Sequence, residues 1–171
     1  MRTFVYFLFI LLTSNLIGQT ISIKESEAQV SFVFLDEDVQ GSIEGFTFTG
    51  NIDLNALESS VISGSVITKT LDTNNWLRSR HLRSKKFFHA KEHPTLDFKS
   101  EQITGTNESF QVKGTLTIKG ITQEVTWKFA NGGNHLIGTT HINTHDFEIE
   151  VYKERERNEV DISITLPYSR Q

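Results

Sequence analysis

Apolar and polar residues alternate along most of this chain, with a period of two residues. A period of two is typical of β-strands that have one face buried and the other in water. The clearest alternating segments lie at 30–34, 46–52, 96–98, 110–129 and 160–166. The pattern predicts an all-β protein of about eight antiparallel strands, arranged as a closed up-and-down barrel or as a sandwich.

The segment 110–129 specifies its own pairing. If Lys119 and Gly120 form a two-residue turn, the apolar residues of both arms share one face and the polar residues share the other, with Leu116 opposite Gln123 as the exception. The predicted apolar pairs are Ile118–Ile121, Gly114–Val125, Val112–Trp127 and Phe110–Phe129. A slip of one residue would set apolar against polar side chains along the whole hairpin, so the sequence predicts this register.

Some segments depart from simple alternation. Residues 60–70 are rich in β-branched side chains of mixed parity, which is compatible with a bulge. Residues 134–152 form a further strand arm whose apolar parity changes, so we expect a bend near 143–146. The charged run 153–159 is predicted to be a solvated turn, and residues 74–82 a short helix or helical loop.

The N-terminal residues have the pattern of a secretory leader. Arg2 precedes an apolar run at 4–12, and a small residue, Gly18, follows a short polar stretch. A membrane anchor is the alternative, but the run is well short of the roughly 20 apolar residues that span a bilayer. We therefore expect a signal peptide at 1–18 and one domain at 19–171, located in the periplasm or secreted, and not membrane-spanning.

Composition narrows the classes of function. The chain has 171 residues, of which 17 are Lys or Arg and 21 are Asp or Glu, for a net charge of −4. This balance gives no overall attraction to nucleic acid or to an anionic membrane surface. The chain has no cysteine, which excludes disulfides, thiolate metal sites and lipid attachment through an N-terminal cysteine. Its 13 phenylalanines fit either a filled core or the lining of a ligand pocket.

Candidate chemistry is sparse. No motif typical of a serine hydrolase, a nucleotide-binding loop or a zinc protease occurs. His89 and His93 are four residues apart, as are His141 and His145. In an extended strand that spacing separates the Cα atoms by about 13 Å, too far for shared metal binding unless the backbone folds back. We therefore predict no metal site, no cofactor, no catalytic residues and no enzyme activity.

Several segments together resemble the YceI-like family of exported lipid-binding proteins. They include a glycine–phenylalanine strand, a central stretch that continues into a His-Pro strand, and a hairpin, at 45–52, 71–82, 84–88, 93–100 and 112–122. The similarity covers nearly all of the chain beyond the leader. Two positions depart from the family's pattern: Ser79 stands where the family has an acidic or amide residue, and Glu148 stands where it has glycine.

The resemblance implies an eight-stranded, lipocalin-like antiparallel barrel with an elongated apolar pocket for a polyisoprenoid or another long-chain lipid. It implies no catalytic residue and no metal. The expected function is that of a protein that sequesters or carries such a lipid. Two alternatives stay open, namely a structural or partner-binding barrel with a filled core and a lipid-modifying enzyme. The oligomeric state also stays open, a homodimer included.

Candidate ligand contacts are the apolar side chains that share the inward faces of neighbouring predicted strands. These candidates are Phe46, Phe48, Phe98, Phe110, Val112, Leu116, Trp127 and Phe129. For each of them, a place in a filled core is the alternative. Arg78 and His81 could contact a polar headgroup at the pocket mouth, or they could fasten the helical segment to the barrel by hydrogen bonds.

Overall fold

The computed structural model describes residues 20–171, so the predicted leader lies outside the described residues. The chain forms antiparallel strands and one short α-helix, in the order β1 Thr20–Ile23, β2 Gln29–Phe34, β3 Val39–Ile43, β4 Thr47–Asp53, β5 Val61–Ile67, α1 Trp76–Leu82, β6 Thr95–Gly105, β7 Ser109–Ile118, β8 Ile121–Asn131, β9 His135–Asn143 and β10 Glu159–Arg170. Short 3-10 helices lie at Glu25–Glu27, Leu57–Ser59, Thr68–Thr70, Thr144–Phe147 and Arg155–Asn158.

The sheet closes on itself. Its order is β1-β4-β5-β6-β7-β8-β9-β10, and β1 pairs again with β10. The strands β1 and β2 lie one after the other along the same edge of β10, and they pair in turn with β4 and β3. β1 with β2, and β3 with β4, are therefore two interrupted barrel strands. The prediction of an eight-stranded antiparallel barrel with a short helix is confirmed.

The hairpin of β7 and β8 has the predicted register along its whole length. Phe110 pairs with Phe129, Val112 with Trp127 and Ile118 with Ile121. Lys119 and Gly120 both have positive φ, at 53° and 78°, as a type I′ turn requires. The sequence prediction for this hairpin is confirmed.

Two local predictions are wrong. The arm predicted at 134–152 ends as a strand at Asn143, where the chain turns into the 3-10 helix Thr144–Phe147. The bend predicted near 143–146 is confirmed, and the strand predicted beyond it is wrong. The turn is held by side chains: the His145 N–H donates to Asn143 Oδ1 at 3.0 Å, and the Thr144 hydroxyl donates to the Ile149 carbonyl at 2.8 Å. Residues 61–67 pair without a bulge, and the irregularity lies in β6 between Ser100 and Gln102.

The charged run 153–159 contains one buried residue, Asn158, whose side chain binds the neighbouring backbone. Asn158 is fully buried, and its side-chain amide donates to the carbonyls of Tyr152 and Glu154 at 2.9 and 2.7 Å. Its Oδ1 accepts from the N–H groups of Val151 and Tyr152 at 2.9 and 3.0 Å. Residues 153–156 are exposed, as predicted for a solvated turn, but Asn158 fastens the run to its neighbouring backbone, which the prediction did not include.

The two halves of the barrel are packed differently. At the end where β4 finishes and β7 and β9 begin, which we call the closed end, Ile52, Val112 and Leu136 have no exposed surface. At the opposite end, which we call the helix end, lie α1, the loop that follows it and the loop from β9 to β10. Several inward side chains there are only half-buried. The interior is thus filled at the closed end and accessible at the helix end.

Candidate functional site

A cavity of about 140 Å³ lies in the half of the barrel toward the helix end. Its lining of 24 residues is almost wholly aliphatic or aromatic, and the hydroxyl groups in it belong to Ser65 and Thr144. Thr144 already donates its hydroxyl proton to the Ile149 carbonyl. The lining therefore favours a hydrocarbon ligand, because it has almost no hydrogen-bonding groups that could replace the water around a polar ligand.

One side of the cavity is open to solvent. Five inward-facing lining residues on β4, β5 and β6 or next to them are only half-buried, and we call them the mouth: Phe46, Phe48, Val66, Leu96 and Phe98. Glycines make room for two of these rings. A Cβ on Gly64 would lie 3.1 Å from the Phe46 ring, and one on Gly114 would lie 2.8 Å from the Phe98 ring.

The structure brings together six of the eight apolar candidates. Phe46, Phe48, Phe98, Leu116, Trp127 and Phe129 line the cavity. Phe110 and Val112 face inward too, but they lie at the closed end, where they are 2% and 0% exposed. The ring of Phe110 stacks on that of Phe129 at 5.2 Å between centroids. These two residues are therefore part of the filled core, and ligand contact by the other six stays a prediction.

Arg78 and His81 lie outside the cavity lining. The Arg78 guanidinium donates to the hydroxyl and the carbonyl of Thr73, at 2.9 and 2.7 Å. The His81 ring packs on the ring of Phe87, with 4.8 Å between centroids. Both contacts lie within the segment between β5 and β6, and the one at His81 is a ring contact without a hydrogen bond. The two roles expected for these side chains therefore stay predictions.

Ser79, one of the departures from the family pattern, is 1% exposed. Its hydroxyl donates to the Asp72 carboxylate at 2.8 Å and accepts from the Thr73 N–H at 2.9 Å. The hydrogen bond from Ser79 holds the pKa of the Asp72 carboxyl below its usual value. Asp72 in turn pairs through its backbone with Ser42 of β3. The serine therefore ties α1 to the barrel wall.

The sequence reasoning missed other lining residues. β2 and β10 contribute Phe32, Phe34, Ile162 and Ile164, and their strict alternation was the signal that could have found them. Leu71 and Phe88 flank α1 in the sequence and also line the cavity. Nothing in the sequence pattern places those two beside the barrel interior, because their position depends on how the segment between β5 and β6 folds back.

The indole N–H of Trp127 is a polar group on a residue that lines the cavity. Trp127 is 8% exposed, and its N–H is buried with no acceptor among the described residues. A buried donor without a partner costs about 1–3 kcal/mol. An oxygen atom on a bound molecule could recover part of that cost.

The histidine pairs are arranged differently from the extended geometry assumed above. The chain turns at His89, which has a φ of 48°, and brings the His89 and His93 rings to 5.8 Å between centroids. On the outer wall, His141 Nδ1 binds Asp161 at 2.7 Å and Nε2 binds Glu159 at 2.5 Å. Hydrogen bonding to Asp161, and then to Glu159, raises the pKa of His141. Within residues 20–171, no group of three or more metal-ligating side chains could hold a metal ion.

In residues 20–171, every helix is too short or too polar to cross a bilayer.

A UPF0312 protein of Pectobacterium atrosepticum is 29% identical over 85 residues, which are 50% of this chain and 44% of that protein. The chain thus aligns with less than half the length of that relative.

Two solved structures have the same fold. The structure of Burkholderia cenocepacia BcnA superposes with a TM-score of 0.76 at 21% identity, over 86% of this chain and 99% of that one. A polyisoprenoid binding domain from Saccharophagus degradans, implicated in plant cell wall breakdown, superposes with a TM-score of 0.61 at 12% identity, over 90% and 99% of the two chains. The family model of the YceI-like domain matches residues 21–168, and the chain belongs to the YceI-like family.

Proposed function

We propose that this chain is an exported binding protein that holds a polyisoprenoid or another long-chain lipid in the cavity of its barrel. The observation that carries the proposal is the apolar cavity at the helix end, which opens to solvent at the mouth. The similarity of fold to a polyisoprenoid binding domain supports the same class of ligand. The leader pattern at 1–18 supports export to the periplasm or beyond the cell.

Burial of hydrocarbon supplies the binding energy in this proposal. An apolar cavity of roughly 150 Å³ stays dry and accepts a ring of benzene size, and this cavity is about 140 Å³. It therefore holds about one isoprene unit as it stands, and a longer chain extends through the mouth. Each buried CH₂ contributes about 0.8 kcal/mol, so the roughly five carbons of one isoprene unit contribute about 4 kcal/mol before the cost of ordering the chain, and carbons covered at the mouth add to this.

Catalysis has no support in the chemistry of the cavity. Among residues 20–171, the titratable groups whose pKa values are clearly shifted are Asp36, Asp72, Lys113, His141, Tyr152 and Arg157. Each of them lies outside the cavity lining. A lipid-modifying enzyme would need an acid, a base or a nucleophile beside the bound chain. We therefore propose binding without turnover.

Native mass spectrometry of the purified protein, followed by organic extraction, tests the proposal. We expect an adduct of prenyl or acyl mass at one per protein. Protein that arrives without lipid is then titrated with farnesol, geranylgeraniol and solanesol. A clean protein mass that no prenyl alcohol or fatty acid changes would favour the filled, partner-binding barrel. Release of an altered lipid would favour the enzyme.

A matched pair of substitutions on β4 tests the location. Phe48 lines the mouth and Thr49 is an exposed neighbour on the same strand. We expect Phe48→Asp to weaken binding of the fluorescent probe N-phenyl-1-naphthylamine at least tenfold, because a carboxylate in the lining would have to be desolvated. Thr49→Asp adds the same charge outside and should leave binding unchanged. Equal binding by both folded variants would remove the mouth from the site.

A further inference from the structure

Helix α1 exposes two large apolar side chains in succession. Trp76 and Leu77 are 68% and 66% exposed, the highest values among the exposed large apolar side chains of the described residues. The Arg80 guanidinium lies 5.4 Å from the centre of the Trp76 ring. An indole beside a cationic side chain is typical of groups that sit at a membrane–water interface.

The surrounding segment 69–93 is basic although the whole chain is acidic. It carries seven Lys or Arg residues and only two acidic ones, Asp72 and Glu92, whereas the chain has a net charge of −4. None of the ion pairs among the described residues involves this segment. Arg83 donates to the backbone carbonyls of Lys69 and Leu71, and its charge acts on the Asp72 carboxylate, so the other six basic residues carry most of the positive charge of the segment.

Acidic residues occupy other loops of the same barrel end. The turn 36–38 is wholly acidic, and the loop 146–159 has six acidic and three basic residues. These loops are joined by the ion pair of Arg157 with Asp36 at 2.6 Å. The acidic residues of these loops form their ion pairs with Arg155, Arg157 and His141 and not with segment 69–93. The segment is therefore the part of the helix end that would face a negatively charged surface.

We propose that segment 69–93 docks on an anionic phospholipid bilayer, with Trp76 and Leu77 in the interface. The inference rests on the proposed function for its purpose, since Leu71 and Phe88 of this segment also line the cavity. Docking there brings the cavity wall to the bilayer from which a lipid would enter. Charge complementarity selects the partner: each basic side chain near an anionic membrane strengthens partition by about fivefold.

Vesicle flotation tests the docking with the whole protein. We expect binding to phosphatidylcholine vesicles that contain phosphatidylglycerol, and much weaker binding to phosphatidylcholine alone. High salt should release the protein, since the screening length falls to about 3 Å at 1 M ionic strength. Trp76 fluorescence should shift to the blue on binding. Equal binding to both kinds of vesicle would overturn the proposal.

Paired variants separate the two contributions. Trp76→Ala with Leu77→Ala should weaken vesicle binding at least tenfold, and Lys85→Gln with Lys86→Gln should weaken it by roughly 25-fold. The control is Val61→Ala, since Val61 is 49% exposed at the closed end. Vesicle binding kept by both double variants would refute the docking surface. So would a dimer, seen in sedimentation velocity, that the Trp76 and Leu77 changes dissociate.

Solution binding of N-phenyl-1-naphthylamine keeps this test distinct from that of the cavity. The Trp76 and Leu77 double variant should bind the probe normally, because neither residue lines the cavity. Phe48→Asp should lose the probe and still float with anionic vesicles. Failure of the probe alone counts against the proposed function, and failure of flotation alone counts against the docking surface.

Discussion

Leu116→Ala and Leu136→Ala remove the same isopropyl group from the two halves of the barrel. Leu116 is 7% exposed and lines the cavity, whereas Leu136 is 0% exposed in the closed end and lies outside the lining. Leu136→Ala should destabilise the protein by about 3–5 kcal/mol, because its neighbours cannot collapse into the space. Leu116→Ala should cost about 2–3 kcal/mol, because that side chain already faces empty volume.

Added lipid should distinguish Leu116→Ala from Leu136→Ala more clearly than the stability of the two variants alone. A long chain can fill the space left at Leu116, which should recover about 2 kcal/mol and tighten the dissociation constant by about thirtyfold. It cannot reach the space left at Leu136. Urea unfolding with and without geranylgeraniol, together with isothermal titration, measures both effects. Equal gains in the two variants, or weaker binding by Leu116→Ala, would refute the division into a filled and a hollow half.

Further predictions concern the loop, the outer wall and the lining. Asn158→Ala should cost about 3 kcal/mol or more in urea unfolding, since four hydrogen bonds are lost in a buried site; a loss below about 1 kcal/mol would mean that water replaces the amide. Folding raises the pKa of His141, so the wild-type protein should be more stable than His141→Gln at low pH. This difference in the free energy of unfolding should be complete below the unfolded pKa of 6.5 and should disappear as pH rises through the folded pKa. A difference that does not change with pH would contradict the prediction. Gly138→Ala would place a Cβ 2.4 Å from the Phe129 ring and push that ring into the cavity, so probe affinity should fall. Thr139→Ala, at an exposed neighbour on the same strand, is the control.

The strands and their pairing could be predicted because each depends on short-range signals. The β7–β8 register follows from a turn that needs positive φ and from arms whose apolar residues share one parity. The sequence did not show which of these inward-facing residues fill the core and which line the cavity. Val112 and Leu116 face the same interior from one strand, and only the packing at the two barrel ends makes one filled core and the other cavity wall.

Irregular segments were less predictable for a related reason. Asn158 lies within a charged run, and nothing local shows that its amide satisfies the backbone of residues 151–154. His89 adopts a left-handed conformation, which is uncommon for any residue other than glycine, so the extended spacing to His93 was the wrong assumption. Averaging charge over the chain likewise concealed the basic segment 69–93, because the acidic loops offset it in the sum.

The pairing of β1 with β10 joins the two ends of the described chain. Ile21 pairs with Arg170 and Ile23 with Tyr168, and the Gln171 N–H donates to the Thr20 carbonyl at 3.0 Å. Before β10 arrives, any folded part is an open sheet with two unpaired edges. Contacts so distant in sequence make folding slow, on the order of milliseconds to seconds, and stopped-flow refolding followed by Trp127 fluorescence should show one such phase. During synthesis the barrel therefore cannot close until β10, the last of its strands in the sequence, has left the ribosome.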